Sequence, residues 1–153
     1  MTIQAARRDE PEVARLRVCA IIGPTASGKT DIALRVARAI RAEIVAVDSM
    51  TVYRGMDIGT AKPTREQRTA VPHHMLDVVA PGETYTVARF QQAARAAVGA
   101  IAARRHVPLL VGGSGLYFRA VVDDLKFPPA DAAVRARLAA ESPARLAARL
   151  RDA

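Results

Sequence analysis

Eight consecutive residues, Gly23, Pro24, Thr25, Ala26, Ser27, Gly28, Lys29 and Thr30, set a glycine, four spacers and then Gly-Lys-Thr in one run. The chemistry of such a run is anion capture. Backbone amides of a glycine-bearing loop turn inward round a phosphate at the positive end of a helix. Gly23 and Gly28 let the chain curl closely round the oxygens, Lys29 adds a point charge, and Thr30 carries a hydroxyl of the kind that ligates magnesium. A di- or triphosphate is the ligand that suits it. Kinases, nucleotide hydrolases and some transferases all use this loop, so by itself it leaves the reaction open.

The elements that must position the loop can be read on either side of it. An apolar run from Leu16 to Ile22 predicts a strand leading in, and the stretch from Thr30 to Arg41 predicts a helix leading out. In that helix Ile32, Val36 and Ile40 recur every fourth residue, with Ala33 and Ala37 beside them, as one apolar stripe laid on a sheet. Glu43 to Val47 predicts a second strand ending at Asp48, and a strand-end acid in an open α/β sheet faces the ligand crevice. By chemistry alone Asp48 suits either a magnesium ligand or a general base. Ser49 to Pro72 is a long polar connector with a short helix over Arg65 to Ala70, and Met75 to Val79 is a candidate third strand. Thr86 caps a helix running to about Arg104, with Phe90, Ala94, Ala97, Val98 and Ile101 on its buried side. Val107 to Val111 reads as a buried parallel strand, and a second glycine loop, Gly112-Gly113-Ser114-Gly115, opens a helix at Leu116. Asp131 caps a helix through Ala140, and Ser142-Pro143 begins another.

Composition narrows the class. With 153 residues, 50% of them apolar, the chain can bury one domain-sized core. No apolar stretch approaches the ~20 residues that cross a bilayer, and the charged lead over residues 1–15 lacks the apolar centre of a signal peptide. An intracellular, cytoplasmic protein with a loose lead and no membrane partner is expected. Cys19, the only cysteine, is expected as a small core residue of the first strand, which leaves no intrachain disulfide or thiolate metal site. The net charge of +8, carried mostly by arginine, suits a polyanionic partner. His73 and His74 are adjacent and point apart on a strand, which favours structural or hydrogen-bonding roles over a shared metal.

Several long stretches in fixed order carry a family resemblance: Gly23 to Thr30, Val47-Asp48-Ser49-Met50, Val52 to Pro63, Val71-Pro72-His73-His74 and Pro108 to Phe118. Across about Val18 to Leu138 the chain resembles the tRNA dimethylallyltransferases, which attach a five-carbon isoprenoid to an adenine beside the anticodon. The resemblance implies that the loop holds the pyrophosphate of dimethylallyl diphosphate, with Lys29 neutralising the leaving group and Thr30 helping to hold Mg²⁺ on it. It implies Asp48 as general base toward the adenine amine, and Ser49 and Met50 tip the balance that way. It further implies tRNA contacts at Asp48, Ser49, Met50, Thr51, Ser114 and Arg135, although a glutamine is common where this chain has Thr51. The target adenine must leave its stack to reach Asp48. Tyr53, Tyr117 and Phe118 are candidates for the prenyl or adenine pocket or for the core.

The expected architecture is a phosphate-loop nucleoside-triphosphatase-like parallel sheet flanked by helices. An incomplete core spans residues 16–122, and 123–153 begin a helical tRNA-binding insertion. Family members are about twice as long as this chain, so an N-terminal portion is expected, a monomer that binds diphosphate weakly and is nearly inactive alone. Three competing functions share the loop: an isopentenyltransferase for free adenine nucleotides, a small-molecule kinase and a non-catalytic binding remnant.

Overall fold

The structure, a computed structural model, describes residues 17–128 and 131–152, so the expected lead over 1–15 and the start of the first strand at Leu16 lie outside the described residues. Strand β1 (Cys19–Ile22) enters the glycine loop, helix α1 (Lys29–Ile40) leaves it, and β2 (Ala42–Ala46) follows. The long connector holds α2 (Arg65–Ala70) and delivers β3 (His73–His74) to the side of β2. Helix α3 (Val87–Ala103), β4 (Val107–Gly112) and α4 (Gly115–Val122) come next, then α5 (Ala132–Ala139) and α6 (Pro143–Arg151). The strands are parallel in the order β1-β4-β2-β3, so β4 lies between β1 and β2. This is the α/β class the sequence predicts.

Strand periodicity sorts the core into two layers. Ile44 of β2 and Leu109 of β4 pack with Ala33, Leu34 and Ala37 of α1 on one face. Val45 and Val47 pack with Phe90, Ala94, Val98 and Ile101 of α3 and with Tyr117 and Val121 of α4 on the other. Alternation by two residues along β2 is what serves both helices. Thr86 caps α3 by accepting from the Arg89 amide at 3.2 Å, Asp131 caps α5 and Ser142 caps α6, each where the sequence places it. Helices α5 and α6 bury no residue, and Arg149 donates to Glu141 at 2.7 Å between them.

Four expectations are corrected. Met75 to Val79 is not a strand, because Met75 (φ 64°) and Asp77 (φ 55°) are left-handed. The pairing falls instead at His73 and His74, which lie beside Ile44 and Val45. The buried stripe of α1 is Ala33, Leu34 and Ala37, while Ile32 and Ile40 stay 52% and 40% exposed. Two alanines one turn apart permit the closest approach to the sheet and rotate the isoleucines outward. Cys19 is exposed rather than core, since β1 is an edge strand that pairs only with β4 among the described residues. Ala97 of α3 is only half-buried.

At the opposite end of the sheet from the glycine loops, Glu43 ties four segments together. Its buried carboxylate accepts from Arg104 at 2.8 and 3.2 Å, from His74 at 2.6 Å and from His106 at 2.8 Å. The Arg104 hydrogen bonds outweigh the opposing effect of burial and, with the two histidines, lower its pKa from 4.5 to about 2. A depressed folded-state pKa stabilises the fold above the unfolded value and is lost as pH falls through the folded one. At 1.36 kcal/mol per unit, stability should therefore drop by about 3 kcal/mol between pH 4.5 and 2. Urea titrations across that window should show the drop, and Glu43→Gln should remove this limb of the profile.

Candidate active site

Three strand ends converge because of their register. Ile22 of β1 pairs with Gly112 of β4, and Ala46 of β2 pairs with Val111. The next residues continue the contact: the Gly23 amide donates to the Gly112 carbonyl at 3.2 Å, and the Val47 amide to the Val111 carbonyl at 2.9 Å. Gly112 is required there, since a Cβ would stand 2.2 Å from the Val47 carbonyl oxygen. The glycine loop at the end of β1 and Asp48 at the end of β2 are thus two strand spacings apart, about 10 Å, with Gly113 between them.

The loop has the geometry of an anion cradle. Gly28 (φ 76°) is the N-cap of α1 and supplies no side-chain acceptor, so first-turn amides of a 12-residue helix remain available to a ligand. Ala26 is also left-handed at φ 62°, which turns the preceding segment back on itself. Lys29 lies along the loop, with Nζ donating to the Pro24 carbonyl at 2.7 Å. A cavity of about 490 Å³ opens here, and Thr25, Ala26, Ser27, Gly28, Lys29 and Thr30 share its lining with Asp48, Met50 and Thr51.

The turn after β2 aims Asp48. Its Oδ1 accepts from the Met50 amide at 2.7 Å and the Thr51 amide at 3.3 Å, which fixes the carboxylate by its own backbone. The remaining oxygen, Oδ2, is the one left to meet a ligand. Thr51 is 6% exposed, and its hydroxyl has no partner among the described residues. Burial pushes the Tyr117 phenol up, and Tyr53, Tyr85 and Asp48 add to the shift, so three tyrosines gather on the Asp48 side of the sheet. Tyr117 packs on Phe90 with ring centroids 4.4 Å apart, which makes it a core residue, and the buried Tyr85 hydroxyl is unpartnered among the described residues.

The long connector is held by a clasp that sequence reasoning missed. The Lys62 side chain is 1% exposed, and its ammonium meets the Tyr53 carbonyl at 2.5 Å, Asp57 at 3.0 Å and Asp77 at 2.7 Å. Burial opposes this charge, yet the hydrogen bonds to Asp77 and Asp57 hold the Lys62 pKa above its usual range. Asp77 also takes Arg68 at 2.6 Å, and Arg54 donates to the Asp77 and Val78 carbonyls. The signal in the sequence was a lysine set before Pro63 inside a glycine-rich stretch, with its acids 5 and 15 residues away.

Apart from His73, the other candidates fall outside the cavity. Gly23 and Pro24 form the loop's entry, and Ser49 is exposed on the turn beside Asp48. Ser114 is the N-cap of α4, accepting from the Tyr117 amide at 3.4 Å, and Arg135 is exposed on α5. His73 lines the cavity floor with Nδ1 donating to the Val71 carbonyl at 2.7 Å, and His74 serves Glu43. Both histidines are thus in hydrogen-bonding roles, and no group of three or more His, Cys, Asp or Glu able to hold a metal occurs among the described residues.

Comparison with known proteins supplies a family. The sequence signature of the IPP transferases matches residues 51–153, beginning three residues after Asp48. The tRNA dimethylallyltransferase of Salinispora arenicola is 56% identical over 140 residues, which cover 89% of this chain and 41% of that protein. That of Bifidobacterium longum is 54% identical over 127 residues, 80% of this chain and 39% of that protein. Among solved structures, the tRNA isopentenylpyrophosphate transferase of Bacillus halodurans superposes with a TM-score of 0.69 at 45% identity, over 81% of this chain and 42% of that one. A eukaryotic dimethylallyltransferase acting on tRNA superposes with a TM-score of 0.72 at 27% identity, over 82% of this chain and 33% of that one. The chain spans about two fifths of the length of the curated relatives it matches.

Among the described residues Lys29 reaches only the loop's own carbonyl, so its loss should leave folding intact. Lys29→Ala is expected to weaken binding of Mg²⁺-pyrophosphate by about tenfold or more, as loss of one charge-assisted contact would. Titration calorimetry beside a thermal melt separates that outcome from misfolding.

Proposed function

The chain belongs to the IPP transferase family, and from that membership we propose that it forms the diphosphate-binding and catalytic part of an enzyme that prenylates tRNA. The group moved is dimethylallyl, from its diphosphate to the exocyclic amine of an adenine beside the anticodon. One observation carries the reading: a single cavity has both the phosphate loop and Asp48 on its walls.

The mechanism follows from those positions. Gly23 and Pro24 shape the loop's entry, and amides of Thr25 to Thr30 with the Lys29 ammonium bind the diphosphate and take up the negative charge that grows as the carbon–oxygen bond breaks. Thr30 offers a hydroxyl to that cavity, a hard oxygen donor that fits Mg²⁺ held largely by the diphosphate itself. When bound, Mg²⁺ neutralises charge on the leaving pyrophosphate. The adenine nitrogen bonds to the allylic carbon, pyrophosphate departs with the electron pair of the broken bond, and the amine proton passes to Asp48 Oδ2.

A carboxylate is a weak base, so orientation must do much of the work. The Met50 and Thr51 amides supply that orientation by holding Oδ1. The 10 Å or so between loop and carboxylate leaves room for the first phosphate, the allylic carbon and the attacking amine in line.

The RNA side of the reading is electrostatic. A net charge of +8 suits a polyanion, and Asp48 to Thr51, Ser114 and Arg135 are the proposed contacts, with α5 and α6 as the start of a tRNA-binding extension. Thr51 would take part through its backbone or after the turn opens, because its side chain is buried. A cytoplasmic, monomeric enzyme completes the proposal. No helix among the described residues is long and apolar enough to cross a membrane.

The test joins this chain to the part of the Salinispora arenicola relative that lies beyond the matched region and follows labelled dimethylallyl into an anticodon stem-loop RNA. Transfer should depend on Mg²⁺. Asp48→Asn should lower it by roughly 100-fold or more, the scale of general-base loss, while pyrophosphate affinity stays the same. Full activity in the variant would remove Asp48 from the proton transfer.

A further inference from the structure

Ile58 is 98% exposed, more than any other large apolar residue described. Single exposed apolar side chains are common on protein surfaces, so exposure alone decides nothing. The loop that presents it is the distinguishing feature. Residues 53–62 form a stiff arch: the buried Lys62 ammonium pins its base to the Tyr53 carbonyl and to Asp57, and the Thr60 hydroxyl donates to the Met56 carbonyl at 2.6 Å across its crown. Gly55 (φ 71°), Gly59 (φ 77°) and Ala61 (φ 50°) make the bends. A mobile tip would let an isoleucine fold back onto apolar surface, and this arch holds it out.

Position gives the exposed side chain a use. Gly59, Thr60 and Ala61 line the cavity that holds the phosphate loop and Asp48, so Ile58 stands at its rim. Met50, also a lining residue, is 44% exposed beside Asp48. An adenine that enters this cavity must leave its stack and open a gap in the RNA. Apolar side chains inserted between bases hold such gaps open in other nucleic-acid complexes. Isoleucine, branched at Cβ and limited in χ1, is a stiff insert.

We propose that Ile58 is a wedge that enters the base stack of the RNA next to the target adenine and holds that adenine unstacked toward Asp48. The inference rests on the prenylation of RNA proposed above. Ile58 is a positioning residue: it touches neither the allylic carbon nor the proton.

The experiment uses the 153-residue chain with Mg²⁺-pyrophosphate and an anticodon stem-loop RNA carrying the fluorescent analogue 2-aminopurine at the target position. Bound RNA is measured by anisotropy of a terminal dye, and unstacking by the rise in analogue fluorescence. The wild-type chain should raise that fluorescence several-fold at saturation. Ile58→Ser should still bind Mg²⁺-pyrophosphate as the wild type does and retain the RNA, yet lose most of the rise, while Ile58→Leu should restore it. A full rise with Ile58→Ser at saturation, or RNA bound by the wild type with no rise, would overturn the wedge and leave the proposed function standing. A folded wild-type chain that binds neither pyrophosphate nor the RNA would overturn the proposed function, and the wedge with it.

Discussion

The site depends on how closely β4 can lie against β2 at their carboxyl ends. Gly112 makes that approach possible, because any side chain there would occupy the space of the Val47 backbone. With it, the amide of Val47 reaches Val111 and the amide of Gly23 reaches Gly112, so the ends of β1, β4 and β2 form one continuous floor. The glycine loop and Asp48 then sit on opposite sides of a single cavity. Neither end could be moved by one residue without breaking the register that also buries Ile44, Val45, Leu109 and Leu110.

A second constraint acts on the connector between Asp48 and β3. A loop of that length would ordinarily be mobile, since little ties it down. Here one buried ammonium, Lys62, gathers the Tyr53 carbonyl and two carboxylates, and Asp77 passes the connection on to Arg68. Backbone pairing of Val52 with Val78 and of Arg54 with Val79 fastens the other side. The outcome is a rim tied down on both sides next to a cavity whose floor is held by strand pairing, which suits chemistry that relies on placement more than on a strong base.

Much of this was legible in the sequence where a local rule applied. The glycine and lysine spacing gave the loop, the 3.6-residue period gave α3, and Thr86, Asp131 and Ser142 gave helix starts that the fold keeps. Aspartate at the end of a buried strand gave the place of the carboxylate that the proposed mechanism uses. What stayed hidden depends on contacts between distant residues. Met75 to Val79 has the apolar content of a strand, but left-handed turns at Met75 and Asp77 let it serve the connector instead. Cys19 reads as core until the strand order makes β1 an edge among the described residues. The Glu43 cluster could not be found by spacing, since Glu43 meets residues 31 to 63 positions away.

The claim that one cavity holds the leaving group and the proton acceptor of the same reaction is tested most directly by a crystal structure of this chain with Mg²⁺ and the unreactive thio-analogue of dimethylallyl diphosphate. The account predicts the diphosphate on the amides of Thr25 to Thr30, with Lys29 swung from the Pro24 carbonyl onto its oxygens and the allylic carbon facing Asp48. A diphosphate bound on the loop with its carbon directed away from Asp48, or bound elsewhere on the sheet, would contradict it.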